Sequence, residues 1–199
     1  MDVDSNGRVY FNLPTETQAQ LSQHIISAKR ARTSQKLLTI QFDTVDSYFF
    51  LLFAAAKALA PLNQRAVLYF AAAVSDFFVP QAQMATHKIQ SSEGPPDLPL
   101  ANCPKLLGLL REIVCPSAYF VSFKLETDEN ILLTKARKAI TNYNMHLVVA
   151  NELKTRNERV ILVTALDTET ITKVGETEVE GPLIQAVARA HAQFQTQNR

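Results

Sequence analysis

A chain of 199 residues with 47% apolar side chains can build one folded α/β domain, and it is too hydrophobic for wholesale disorder. Its 20 basic residues nearly cancel 19 acidic ones, leaving a charge of +1, which argues against a nucleic-acid or anionic-membrane binder with a basic stripe. Cys103 and Cys115 are too few and too far apart for a disulfide scaffold or a CxxC pair, and no histidine has a second ligand at zinc spacing.

The opening MDVDSNGRVY lacks the charged and apolar regions of a signal peptide. The longest apolar run, Tyr48 to Ala56, is too short to span a bilayer. The expected location is the cytoplasm, with the nucleus as a second compartment.

Pro14 to Arg32 reads as a helix, with Pro14 in its first turn and Lys29, Arg30 and Arg32 at its basic end. Leu21, Ile25 and Ala28 give it a thin apolar stripe. Leu37 to Phe42 alternates loosely and reads as a strand. Asp43 or Thr44 caps a helix over Val45 to Ala60. That helix is apolar nearly all round, which predicts burial on two sides, by the sheet and by a helix or a second subunit.

Ala66 to Ala73 is a continuous apolar run, as in a central parallel strand. The polar stretch from Ser75 to Pro99 is long for a loop in a compact domain, and such loops are often functional. Pro104 to Ile113 reads as a helix, and Ala118 to Phe123 as a strand. Thr127 or Asp128 caps a helix reaching Tyr143. Leu147 to Ala150 is a short buried strand ending at Asn151. Val160 to Thr164 and Glu169 to Val174 pair as a hairpin, and Gly181-Pro182 opens a last helix through Gln195.

Strand–helix alternation of this kind predicts a single domain over 1–199. It is an α/β, Rossmann-like three-layer sandwich, with a mostly parallel sheet and an antiparallel C-terminal edge. In such sheets ligands bind outside the carboxyl ends of the strands. The rule selects Ala71 to Asp76, Phe123 to Thr127, and Ala150 to Glu152. Lys124 and Glu126 read as a solvated pair, and Ser91 and Ser92 read as turn formers, with phosphate binding as their other reading. No GxGxxG, GxxxxGK[ST] or GxSxG is present, so a common dinucleotide oxidoreductase, a P-loop enzyme and a serine hydrolase are poorly supported.

AAAVSDFFVP, HKIQSS, PKLL, SFKLETD, ARKA and VVAN occur in this order between Leu37 and Thr164. Together they resemble phosphopantothenate–cysteine ligase of the eukaryotic type. The resemblance implies a Rossmann-like fold, homodimers, and a reaction of coenzyme A biosynthesis. In it, 4′-phosphopantothenate and cysteine are joined as an amide, through an acyl-nucleotide made from ATP with Mg²⁺ present.

By resemblance, Asp76 is the metal-associated carboxylate, and Lys88 is the loop lysine that stabilises charge on the acyl-nucleotide. Ala71, Ala72 and Ala73 are the small residues around the nucleotide. Pro104, Lys105, Leu106 and Leu107 are the helix-start segment near its phosphates or ribose. Phe123 is the aromatic against the base, and Asn151 the amide beside it. Where bacterial relatives carry lysines before VAN, this chain has Ala139 and Tyr143, in keeping with the ATP-using branch.

The family pattern also includes a glycine-bearing SGGT-type loop and an NFSSG-type motif, which these residues do not contain. The expected consequence is a sheet short of its opening strand and a site short of one wall. The alternative reading is therefore a catalytically impaired relative, acting as a nucleotide-binding or partner subunit.

Overall fold

A computed structural model describes residues 2–3, 9–10, 13–84, 98–175 and 178–198. They fall into two compact units, Met1–Asp43 and Thr44–Arg199.

In the first unit, β1 (Asp2–Val3) pairs antiparallel with β2 (Val9–Tyr10), and α1 spans Thr15–Thr33. Pro14 sits at the N-cap of α1, where its missing N–H costs nothing, and Arg30 and Arg32 occupy the last turn, where the helix dipole favours cations. No residue of α1 is buried. The strand expected over Leu37 to Phe42 is not formed. The stretch is irregular, and Leu38 is 82% exposed. Alternation is a local property, whereas a strand needs a ladder partner, and none is present among the described residues.

The second unit opens with α2 (Val45–Leu59). Thr44 and Ser47 cap it reciprocally, the Thr44 hydroxyl accepting from the Ser47 N–H at 3.1 Å. A short 3₁₀ segment, Ala60–Arg65, leads to β3 (Val67–Phe70). Then come β4 (Phe77–Phe78), β5 (Ala101–Asn102) and α3 (Leu106–Leu109), which widens into a π-turn over Leu110–Val114. The rest is β6 (Tyr119–Glu126), α4 (Glu129–Tyr143), β7 (Leu147–Glu152), β8 (Arg159–Val163), β9 (Thr168–Thr172) and α5 (Glu180–Gln197). The sheet order is β3-β6-β7-β8-β9. The first three strands are parallel, and β8 and β9 join them antiparallel, giving the mixed sheet expected from sequence.

Alternation along the strands divides the core between two faces. On one face Leu68, Phe120, Val148, Ala150 and Ile161 pack with Ala56, Leu110, Leu132 and Ala136, so α2, the α3 segment and α4 form that layer. On the other, Tyr119, Val121, Leu147, Val149 and Leu162 pack with Leu183, Ala186 and Val187 of α5. This is the three-layer sandwich.

Three details differ from the sequence reading. The run Ala66 to Ala73 is not a central strand throughout. Its strand ends at Phe70 and lies at the sheet's edge among the described residues. Among the described residues of this one chain the helix α2 is covered on one side, with Ala56 buried and Phe50 72% exposed, so no helix of the chain supplies the second cover. With the 3₁₀ segment, Val45–Arg65 is apolar and long enough by composition to cross a bilayer, although Tyr48 to Ala56 alone is not. Third, the Ser75 to Pro99 stretch is not wholly irregular, because β4 pairs with β5 around it.

At the amino ends of the strands, His146 sits between the rings of Tyr119 (4.9 Å, stacked) and Phe194 (4.6 Å, edge-on). Its Nδ1 accepts the Phe120 N–H at 2.9 Å, and the Arg111 guanidinium lies 3.3 Å from Nε2. Burial first, and the Arg111 charge second, push its pKa down to about 4. The unfolded chain, with a pKa of about 6.5, takes up this proton before the folded one does. His146 therefore contributes stability above about pH 6.5 that is lost as pH falls toward 4. Allowing for partial solvent screening, the expected loss is about 1–2 kcal/mol. Urea midpoints at neutral pH and near pH 4.5 check it. His146→Gln should flatten the dependence, and an equal slope in that variant would assign the effect elsewhere.

Candidate functional site at the carboxyl edge of the sheet

The parallel strands end unevenly. β3 pairs with β6 only as far as Phe70 opposite Ser122, while β6 continues to Glu126 and stays paired with β7 to Glu152. Past Phe70 the ladder stops and Ala71, Ala72 and Ala73 are exposed, so among the described residues no strand pairs along that side of Phe123 to Glu126, which forms a notch. SFKLE therefore lies within the strand, not past it as the sequence suggested. An apolar cleft of about 270 Å³ runs between α2 and β3 and reaches Ala71 and Ala72 at this end. Small side chains here leave the backbone open to a ligand, as glycine would without its entropy cost.

Ser75 and Asp76 follow. The Ser75 hydroxyl donates to the Phe77 carbonyl at 2.8 Å and accepts the Phe77 N–H at 3.2 Å, an ST-turn that fixes the bend. The Asp76 carbonyl accepts the Cys103 N–H at 2.8 Å, which ties the bend to the segment before α3. The Asp76 carboxylate is left exposed. Among the described residues no group of three or more His, Cys, Asp or Glu side chains could hold a metal ion. A lone carboxylate does fit Mg²⁺ in nucleotide sites, where phosphates and water fill most positions.

Pro104 and Lys105 are exposed and precede α3, which starts at Leu106 and not at Pro104. Leu106 and Leu107 are half-buried and pack on the α2–α4 face of the core. Their side chains thus serve packing, and Pro104 and Lys105 are the exposed residues of the segment. Lys88, Ser91 and Ser92 lie outside the described residues.

Phe123 and Asn151 share the α5 face of the sheet. Phe123 lies opposite Val149, and Asn151 opposite Leu125, so the two are diagonal neighbours. Phe123 is half-buried against Val149 and its cluster. The Asn151 amide N–H₂ points to the Arg156 carbonyl at a long 3.5 Å, and its Oδ1 is buried with no hydrogen-bond partner. The loop behind it is firmly held. Arg159 donates to Glu129 at 2.7 Å and to Glu152 at 3.3 Å, Thr155 donates to Glu152 at 3.1 Å, and the Leu153 N–H reaches the Glu126 carbonyl at 2.9 Å. Those carboxylates, Glu129 first, hold the Arg159 guanidinium above its usual pKa.

Among the described residues, two buried side-chain polar atoms lack a partner, Asn151 Oδ1 and Ser122 Oγ. Asn151 lies near the carboxyl end of β7, and Ser122 lies mid-strand in β6, level with the end of β3. Buried polar groups are almost always paired, so unpaired ones mark a place prepared for something else. Sequence reasoning missed Ser122, whose only signal was a hydroxyl inside the apolar run AYFVSF. It also paired Lys124 with Glu126, whereas Glu126 takes Lys135 of α4 at 2.7 Å.

A family model described as the DNA/pantothenate metabolism flavoprotein C-terminal domain matches residues 16–191. Phosphopantothenate–cysteine ligase of Homo sapiens is 46% identical over 154 residues, which is 77% of this chain and 49% of the relative. Phosphopantothenate–cysteine ligase 2 of Oryza sativa subsp. japonica is 40% identical over 182 residues, 91% and 56% of the two chains. A solved Cab2 mutant in complex with phosphopantothenate-cysteine superposes with a TM-score of 0.85 at 34% identity, over 98% of this chain and 65% of that one. The chain spans about half the length of the curated relatives it matches.

Proposed function

The chain belongs to the DNA/pantothenate metabolism flavoprotein C-terminal domain family, and on that basis we propose that it carries the ligase site of coenzyme A biosynthesis, joining 4′-phosphopantothenate to cysteine at the expense of ATP. The observation that carries this reading is the unpaired Asn151 Oδ1 on the same sheet face as Phe123, its diagonal neighbour, toward the carboxyl ends of the parallel strands. An aromatic face stacks a base, and a buried acceptor selects an amino group on its rim. The relatives' names, and the phosphopantothenate-cysteine in the Cab2 complex, supply the substrates.

In the proposed reaction a carboxylate oxygen of phosphopantothenate attacks the α-phosphorus of ATP, and pyrophosphate leaves. The cysteine amine then attacks the acyl carbon, loses a proton, and AMP leaves. Ala71 to Ala73 let the ligand lie close to the backbone. Asp76 would hold Mg²⁺, which offsets negative charge on the phosphates. Lys88 would stabilise the charge that develops as the acyl-nucleotide forms and breaks down. Pro104 to Leu107 present backbone groups to the ribose or phosphates.

The exposed Phe50 on α2 supports a homodimer through that helix, and sedimentation at the monomer mass would contradict it. The cytoplasm is the proposed location. Purified protein given 4′-phosphopantothenate, cysteine, ATP and Mg²⁺ should release pyrophosphate in step with product. Release no faster than that of Lys88→Gln would remove the ligase reading for this chain.

A further inference from the structure

Ser122 is the one buried polar residue of the described core, 8% exposed, and its hydroxyl has no partner. A buried hydroxyl without a partner is costly to keep. The base-facing pair Phe123 and Asn151 does not explain it, because Ser122 points to the opposite face of the sheet. Alternation along β6 puts Ser122, Lys124 and Glu126 on the α4 face, and the Glu126–Lys135 ion pair at 2.7 Å fixes that assignment.

Lys124 stands between the other two. It is half-buried, and no hydrogen bond or ion pair engages it among the described residues. Its neighbour on β7 is Ala150, small and fully buried. On the other side β3 has already ended, at Phe70 opposite Ser122. The nearby acidic groups are spoken for, Glu126 by Lys135, and Glu129 and Glu152 by Arg159. Lys124 thus stands in the notch with a free ammonium, and Ser122 lies at its inner end, level with Phe70, with a free buried hydroxyl; their Cα atoms are about 7 Å apart along the strand, with the small Ala150 beside Lys124.

We infer that Ser122 and Lys124 form an anion subsite that takes a phosphoryl group of the substrates, across the sheet edge from Phe123 and Asn151. The hydroxyl donates to one phosphoryl oxygen and the ammonium to another. The phosphate source rests on the ligase reading, because both ATP and 4′-phosphopantothenate carry one.

Calorimetric titrations of ATP, 4′-phosphopantothenate and inorganic pyrophosphate into the full chain, Lys124→Met, Lys124→Arg and Ser122→Ala test the subsite. Lys124→Met should weaken pyrophosphate and one of the two substrates about tenfold or more, and Lys124→Arg should recover most of that loss. Ser122→Ala should weaken the same ligands without lowering the melting temperature, since it removes an orphaned group. The substrate that weakens identifies the source of the phosphate. Unchanged binding of all three ligands to Lys124→Met overturns the subsite. Should the wild-type chain bind neither substrate, pyrophosphate still decides. Dependence on Lys124 upholds the subsite while the ligase reading falls, and indifference to Lys124 removes the subsite as well.

Discussion

Replacing Asn151 with Ala should weaken ATP binding by about tenfold to hundredfold while leaving the melting temperature unchanged or slightly raised. The two effects have opposite signs for one reason. In the free protein the Asn151 amide has little to lose, since its one side-chain hydrogen bond among the described residues is a 3.5 Å approach to the Arg156 carbonyl. Its Oδ1 is buried and unpaired, a cost that Ala does not carry. The strand around it is held by backbone pairing to β6 and by the Arg159 network, neither of which uses the amide. A site that keeps an acceptor dry and unpaired is one in which the ligand's donor completes the hydrogen bond. Calorimetry with ATP and Mg²⁺, alongside thermal melting, separates the outcomes. Unchanged affinity, or a loss of stability comparable to the loss of binding, would make Asn151 structural.

The largest stability effect is expected at Phe120. Phe120→Ala should cost about 3–5 kcal/mol, a large share of the 5–15 kcal/mol that holds a typical domain together. The ring is fully buried in the interior strand β6, opposite Leu68 of β3. The Phe70 ring lies 5.6 Å away, and the Arg111 guanidinium sits 5.5 Å from the Phe120 centroid. Arg111 is itself held by the Asn144 carbonyl at 3.0 Å and by the Pro116 carbonyl. Truncation would open a cavity in the layer between the sheet and α2, the α3 segment and α4, and Phe120→Leu should cost markedly less. Urea unfolding of the two variants measures this. A loss below about 1 kcal/mol for the Ala variant would mean that the core refills around the missing ring.

Much of the fold was readable because the strongest signals are local. The continuous apolar runs at 119–123 and 147–150 could only be buried strands once helices were placed between them, and the alternation forced a parallel sheet. Leu37 to Phe42 was misread for the converse reason, since a β pattern does not supply a partner. The overshoot of β6 was hidden because FKLE is polar, and polarity usually marks a strand's end. Here it marks a strand that continues beyond its neighbour into an open notch. The two-residue pairing of β4 with β5 and the π-turn over Leu110–Val114 are too short to leave a periodicity.

The candidate site was legible as a location. Ala71 to Asp76, Phe123 and Asn151 were selected by the rule that ligands bind at the carboxyl ends of strands, and in the structure Ala71 to Asp76 follow β3 while Phe123 and Asn151 lie in the carboxyl halves of β6 and β7. The polar logic was not legible. Whether a Ser or Asn is satisfied depends on atoms supplied by other strands and loops, so neither the orphaned hydroxyl of Ser122 nor the freedom of Lys124 leaves a mark in the sequence.

The most direct test of the ligase account follows an oxygen atom. Protein supplied with ATP, Mg²⁺, cysteine and 4′-phosphopantothenate labelled with heavy oxygen in its carboxylate should yield AMP carrying one heavy oxygen and an amide retaining the other, read by mass spectrometry. AMP without label, or heavy oxygen appearing in inorganic phosphate alongside ADP, would contradict activation through an acyl-nucleotide at this edge of the sheet.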